Sequence, residues 1–209
     1  MLNNTVRALL PVLILFLLVL PSLSAGGEQE ASVEQEASTE EAAPEENHTE
    51  ISDSLRSALQ SAGLQVLDER VPSEDFALEN LAGEERSLSF FEGQVVVLNF
   101  WASWCGPCVA EMPAMDALYQ DIGGEDFTII GVNVQEQGSV ARNFVEQNGI
   151  TFPILLDRSG STARRYGVRG LPTSYVIAPD GSVIAAKIGY HEWDTPEARA
   201  LVEEIHAEL

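Results

Sequence analysis

The chain has little cysteine, little histidine and little positive charge. Its 209 residues include two Cys and three His, with 11 Lys and Arg against 33 Asp and Glu, so the formal net charge is −22. A disulfide-stapled mini-protein carries more cysteines at wider spacing, and a structural zinc site usually takes four Cys or His ligands. We therefore expect neither of these, no metal site and no cofactor. The charge also argues against nucleic acid as a partner, because phosphates are bound by Lys and Arg.

Residues 1–25 predict a targeting segment. Arg7 precedes an apolar run from Ala8 to Leu20, and small residues follow. The run has the length of a signal-peptide core, roughly 7–15 residues, and counted generously to Ala25 it approaches the ~17 residues of a spanning helix. It is either a cleaved signal peptide, which we favour slightly, or a retained anchor and then the only membrane contact. Either way we expect the protein outside the cytoplasm, in the periplasm or on the outer face of the cytoplasmic membrane.

Residues 26–50 form an acidic segment almost free of large apolar side chains. Within it, residues 28–50 hold nine Glu and no Lys or Arg. Such a segment cannot bury enough apolar surface to offset the entropy cost of ordering it. We interpret it as a disordered linker that leads into a single domain over residues 51–209, with the core of the fold beginning near residue 72.

The stretch from Val95 to Pro113 combines an apolar strand with both cysteines. Residues 95–98, VVVL, predict a buried strand. Trp101-Ala-Ser-Trp104 is then predicted to turn the chain, and Cys105-Gly-Pro-Cys108 opens a predicted helix. A helix N-terminus presents unpaired N–H groups and a partial positive charge, and both stabilise a thiolate. We predict that Cys105 is a nucleophile toward disulfides and that Cys108 resolves the mixed disulfide. The alternative is an inert structural disulfide.

The rest of the domain alternates predicted strands and helices. A helix near residues 52–63 and a strand at 64–67 come first, and then a hairpin turns at Ala82-Gly83. Further on we predict strands at 127–134, 154–156, 173–177 and 183–188, and helices ending near 122 and at 140–148, 162–166 and 195–206.

The segment Phe100-Trp-Ala-x-Trp-Cys-Gly-Pro-Cys108, continued by Val-Ala-Glu-Met-Pro113, resembles the active-site segment of TlpA/ResA-like thiol–disulfide oxidoreductases. The resemblance covers roughly residues 72–209. It implies an α/β, thioredoxin-like fold, in which helices flank a central mixed β-sheet and an N-terminal β-hairpin is added. It also implies an extracytoplasmic enzyme that reduces client-protein disulfides and takes electrons from a membrane dithiol carrier. Relatives serve cytochrome c maturation. We expect a monomer.

The same resemblance bears on Glu111, which lies three residues after Cys108 on one helix face. One reading is a first-turn acid favoured by the helix dipole. The other is a partly buried carboxyl with a raised pKa that exchanges protons with Cys108. Asn99 stands where thioredoxins proper carry an aspartate and cannot titrate, which favours Glu111 as the proton carrier.

Substrate contacts are implied on both sides of the cysteines. Residues 170–173, Gly-Leu-Pro-Thr, resemble the family loop whose proline is cis and faces the cysteine pair. There Leu171 would offer backbone groups to an extended client segment, and Pro172 would keep metals from the sulfurs. Gly106 and Pro107, the pair found in reducing thioredoxins, would line the site together with Trp104. Of Trp101 and Trp104, we expect one to pack in the core and the other to form a partly exposed wall.

Two other functions stay open at this point. A thiol peroxidase-like antioxidant enzyme would share the broader fold, but its isolated peroxidatic cysteine and Thr-x-x-Cys site are not seen. A non-catalytic module could instead grip unfolded clients in a groove between Trp104 and Pro172.

Overall fold

The computed structural model describes residues 50–208. The predicted targeting segment, and all of the predicted linker except its last residue, lie outside the described residues. Within 50–208, no helix is long and apolar enough to cross a membrane.

The described residues form a mixed α/β domain. Its elements, in chain order, are α1 (Asp53–Ser61), β1 (Gln65–Pro72), β2 (Ala77–Asn80), β3 (Glu85–Ser87), a 3₁₀ helix (Leu88–Phe91), β4 (Val95–Trp101), α2 (Gly106–Ile122), β5 (Phe127–Val134), α3 (Gly138–Asn148), β6 (Ile154–Asp157), α4 (Ser161–Arg165), β7 (Thr173–Ile177), β8 (Ser182–Ile188) and α5 (Pro196–Glu208).

The eight strands form one sheet in the order β1-β8-β7-β4-β5-β6-β2-β3. Strands β4, β5 and β6 run parallel, and the other neighbours pair antiparallel. The sheet is therefore mixed, as predicted. The predicted N-terminal hairpin is β2–β3, and it extends the sheet beyond β6.

Two strands are longer than their sequence patterns predict. Strand β1 runs to Pro72 instead of ending near residue 67, because it pairs with β8 on both sides of a register shift between Val66 and Val71. Pro72 is tolerated there because β1 is an edge strand, where a missing N–H breaks no ladder. Trp101, which we expected in the turn before the cysteines, is the last residue of β4 and pairs with Asn133.

Strand β4 is covered on both faces, as a central strand between helical layers should be. Val95, Val97 and Trp101 belong to the core cluster on the side of α1, α2 and α5. The alternate residues Val96, Leu98 and Phe100 belong to a second cluster on the opposite face. Since side chains alternate along a strand, Asn99 shares the first face, where it is a fully buried polar residue.

Candidate active site

One end of the sheet gathers the residues that the sequence singled out. Strand β4 leads at this end into the loop before Cys105. The antiparallel partner β7 begins here, because Thr173 pairs with Phe100, and β8 ends here, because Ile188 pairs with Thr173. The parallel neighbour β5 also ends on this side. The carboxyl ends of parallel strands are where open α/β sheets bind ligands.

The two cysteines lie at the start of α2 and are joined as a disulfide, with 5.3 Å between their Cα atoms. Cys105 is the N-cap residue, and its Sγ accepts the backbone N–H of Cys108 at 3.3 Å. The helix N-terminus therefore acts on the Cys105 sulfur directly. Cys105 is the more accessible of the two, but it is only 5% exposed against 0% for Cys108.

Glu111 lies one turn further along α2 and is 1% exposed. Its Oε1 accepts a hydrogen bond from Asn99 Nδ2 at 2.8 Å, and its Oε2 accepts one from the His191 N–H at 3.0 Å. Burial raises the pKa of Glu111 to about 7, although the two hydrogen bonds from His191 and Asn99 oppose the rise. Between the two readings left open by the sequence, the geometry favours a buried carboxyl that can titrate near neutrality.

Asn99 links this carboxyl to strand β7. Its Nδ2 also donates to Ser174 Oγ at 2.9 Å, while its buried Oδ1 has no hydrogen-bond partner. A half-turn of the amide exchanges Nδ2 for Oδ1. Asn99 can therefore donate to Glu111 when the carboxyl is ionised and accept from it when the carboxyl is protonated.

The His191 contact was not predicted from the sequence. It uses a backbone N–H that follows β8, and a backbone donor leaves no residue-type signature. The His191 ring packs edge to face on Trp193, with 4.6 Å between the ring centroids. The same ring lies close to Gly63, which follows α1. Burial, with a contribution from Lys187, lowers the pKa of the His191 imidazole.

The proline loop lies between β4 and β8 at the same sheet end. The Leu171–Pro172 peptide bond is cis, as the resemblance implied. Pro172 is buried, Leu171 is half-buried, and the Pro172 carbonyl accepts the Gly189 N–H at 2.9 Å. This contact fixes the loop against the segment that leads to His191.

The tryptophans divide as expected. Trp101 is 0% exposed, whereas Trp104 is 71% exposed and stands beside the cysteines with the exposed Gly106 and Pro107. The structure adds Glu136, which the sequence analysis did not single out. Its carboxylate reaches Ser103 in the loop before Cys105. In the described part of the chain, no three His, Cys, Asp or Glu side chains are grouped to hold a metal ion.

A mixed sheet between helices, a Cys-Gly-Pro-Cys pair at a helix start and a cis proline at the same sheet end define a thioredoxin-like dithiol protein. The family model described as "AhpC/TSA family" matches residues 68–186, and the chain belongs to that family.

The relatives agree with this class. The chain is 42% identical over 109 residues to the thiol-disulfide oxidoreductase ResA of Geobacillus thermodenitrificans, and this alignment covers 52% of this chain and 63% of that ResA. It is 35% identical over 128 residues to ResA of Bacillus subtilis, covering 61% and 72%. This chain therefore spans somewhat less than two thirds of the length of the Geobacillus thermodenitrificans ResA. The crystal structure of StoA from Bacillus subtilis aligns with a TM-score of 0.53 at 32% identity, covering 64% of this chain and 96% of StoA.

Proposed function

We propose that this protein is an extracytoplasmic thiol–disulfide oxidoreductase that reduces the disulfides of other proteins through Cys105 and Cys108. One observation carries the proposal: the Cys105 sulfur caps α2 and accepts the Cys108 N–H. A sulfur in that position is stabilised as a thiolate. The similarity to the ResA proteins, which are thiol-disulfide oxidoreductases, supports the same activity.

The reduced protein would act in two exchange steps. The Cys105 thiolate attacks one sulfur of a client disulfide, and the other client sulfur leaves as a thiolate. Cys108 then loses its proton and attacks Cys105 Sγ, which closes the Cys105–Cys108 disulfide and releases the second client thiolate. The client gains two electrons and the protein loses two.

Glu111 is the proposed acceptor of the Cys108 proton. It lies on the same helix face three residues later, and its pKa of about 7 suits a group that both takes and returns a proton near neutral pH. By turning its amide, Asn99 can form a hydrogen bond with Glu111 in either protonation state of the carboxyl. The fully buried Cys108 has little access to solvent bases, which is why an internal acceptor is needed.

The client would lie across the exposed face of this site. Trp104, Gly106 and Pro107 supply the surface on one side of the cysteines, and the half-buried Leu171, backed by the buried Pro172, supplies the other. An extended client segment can add to the Leu171 backbone as a strand.

We place the protein in a reducing chain outside the cytoplasm. Residues 1–25 would export or anchor it, and a membrane dithiol carrier would return it to the dithiol form. Its client class would be exported proteins whose cysteine pair must be reduced before haem is attached, as in cytochrome c maturation. It would work as a monomer.

The test is disulfide reduction by the reduced protein, with insulin as the substrate. Cys105→Ser should abolish reduction, and Cys108→Ser should accumulate a mixed disulfide with the substrate. The reduction potential should lie nearer thioredoxin's ~−270 mV than the ~−120 mV of a strong oxidant. Unchanged insulin reduction by Cys105→Ser would overturn the proposal. Rapid peroxide consumption would favour the peroxidase alternative, and client function retained without both cysteines would favour the binding module.

A further inference from the structure

The loop between β4 and Cys105 is a tight turn that is hydrogen-bonded to a residue from another part of the chain. The Cys105 N–H donates to the Ala102 carbonyl at 3.1 Å, so Ala102 to Cys105 form a β-turn. Ser103 and Trp104 are its two central residues. The N–H of the first central residue has no partner inside such a turn and must be satisfied from elsewhere.

Glu136, in the connection that follows β5, satisfies it. Its Oε2 accepts the Ser103 N–H at 2.8 Å, and its Oε1 accepts the Ser103 hydroxyl at 2.5 Å. The same Oε2 accepts Asn133 Nδ2 at 2.7 Å, and Asn133 is fully buried. Both carboxylate oxygens are thus used, and two of the three donors belong to the residue two positions before Cys105.

The backbone beside Glu136 is built for this contact. Gln135 has φ +57°, the one non-glycine residue with positive φ among residues 50–208. A side chain in that region is strained, and such strain persists only where its surroundings hold it. Here the Gln135 N–H is tied to the Asp157 carbonyl at 2.9 Å, at the end of β6. The backbone bend at Gln135 directs the next side chain, Glu136, toward the loop before Cys105.

We propose that Glu136 is a positioning residue for the redox loop, holding the Ala102–Cys105 turn so that the Cys105 sulfur stays on the N-terminus of α2. The inference rests on the proposed function, because it explains how the outer sulfur is kept reactive. Without the anchor the turn is free to move, and the sulfur spends less time at the helix N–H groups that stabilise its thiolate. The role is one of geometry and not of charge.

Two substitutions separate geometry from charge. In Glu136→Gln the amide oxygen can accept from the Ser103 N–H and from Asn133, and the amide nitrogen can donate to the Ser103 hydroxyl, which also accepts. All three contacts survive and only the charge is lost. Glu136→Ala loses the charge and the three contacts. The two variants are equally neutral, so a difference between them reports the anchor alone. Glu146→Ala, an exposed carboxylate on α3, is the matched control.

The experiment is alkylation of the reduced protein by iodoacetamide as a function of pH, with the cysteine identified by mass. We expect Glu136→Ala to react at least threefold more slowly at Cys105 than Glu136→Gln on the acidic side of the profile. Glu146→Ala should match the wild type. Equal profiles for the Ala and Gln variants would overturn the proposal, whatever their distance from the wild type.

If Glu136→Ala does not melt cooperatively, Ser103→Ala takes its place. It removes one of the three contacts and should react more slowly than the wild type on the acidic side. A wild-type profile from a folded Ser103→Ala variant would count against the anchor. Because iodoacetamide is a small reagent, failure here is separate from failure of the proposed function, which is judged by insulin reduction.

Discussion

The Glu111 carboxylate accepts the backbone N–H of His191 at 3.0 Å, so a residue near the start of α2 is tied to the segment after β8. A backbone donor cannot be changed by titration or removed by most substitutions. It therefore holds one carboxylate oxygen in place, while the other oxygen faces the adjustable amide of Asn99. This arrangement fixes the position of Glu111 and leaves its protonation state free to change.

The pH dependence of stability should carry the signature of Glu111. Its pKa is raised from 4.5 to about 7 in the folded protein, so the folded state holds the proton more tightly than the unfolded chain. This contribution to the free energy of unfolding is complete below pH ~4.5 and is lost as the pH rises through about 7. At about 1.4 kcal/mol for each pH unit of separation, the loss is on the order of 3 kcal/mol.

Urea unfolding of the oxidised protein from pH 4.5 to pH 8 measures this. Glu111→Gln cannot ionise, so its stability should fall less than that of the wild type by about that amount. Glu146→Gln, on the exposed face of α3, should follow the wild type. Parallel curves for the wild type and Glu111→Gln would contradict a raised pKa.

Removal of the Asn99 amide should raise the pKa of Glu111 further. The hydrogen bond from Asn99 Nδ2 favours the ionised carboxyl, so Asn99→Leu takes away one of the two interactions that oppose the effect of burial. The carboxyl carbon of Glu111, followed by NMR in the oxidised protein, should titrate above pH 7. Ser174→Ala is the control, because Ser174 contacts Asn99 and not the carboxyl. A midpoint that stays at the wild-type value or moves down would be inconsistent with this role for Asn99.

The sequence predicts the parts of this molecule that local patterns control. A largely apolar, β-branched run predicts β5 with the bounds that the structure shows, and the cysteine spacing predicts the start of α2 at its N-cap. The 3.6-residue period places Glu111 on the face of Cys108.

Contacts between residues far apart in the sequence were not predicted. Glu136 reaches Ser103 across 33 positions, and the donor from His191 is backbone and carries no side-chain pattern. One signal was available for Glu136: it lies two residues after a buried strand that contains the polar Asn133. Trp101 was misplaced because aromatic residues suit both a strand and a site wall, and only the pairing with Asn133 decides between them.

Gly131 on β5 should not tolerate even a methyl group. A Cβ there would lie 2.6 Å from Ile154 Cδ1 and 3.0 Å from Phe152 and from Trp101 Nε1. Overpacking of this kind costs about 1–3 kcal/mol, so Gly131→Ala should lower the free energy of unfolding by that amount. Since the nearest atom is Ile154 Cδ1, Ile154→Val should relieve part of the clash. In urea denaturation, the double variant should be more stable than the sum of the two single effects predicts. Strict additivity would show that the Ile154 Cδ1 methyl is not the group that clashes with the added Cβ.

The two site tryptophans should separate binding from stability. Trp104 is 71% exposed, so Trp104→Ala should change the free energy of unfolding by no more than about 0.5 kcal/mol. It should nevertheless raise KM for a protein disulfide several-fold, because an exposed aromatic surface beside the cysteines is lost to the client. Reduction of a small disulfide such as oxidised glutathione should be nearly unchanged, because it is too small to span that surface.

Trp101→Ala is the matched comparison, with the same side chain removed from the buried end of β4. It should cost about 3–5 kcal/mol of stability, because Trp101 is 0% exposed. Steady-state reduction of insulin and of oxidised glutathione, together with urea denaturation of both variants, tests the contrast. An equal loss of activity toward both substrates in Trp104→Ala would mean that Trp104 acts on the cysteines themselves and not on the client.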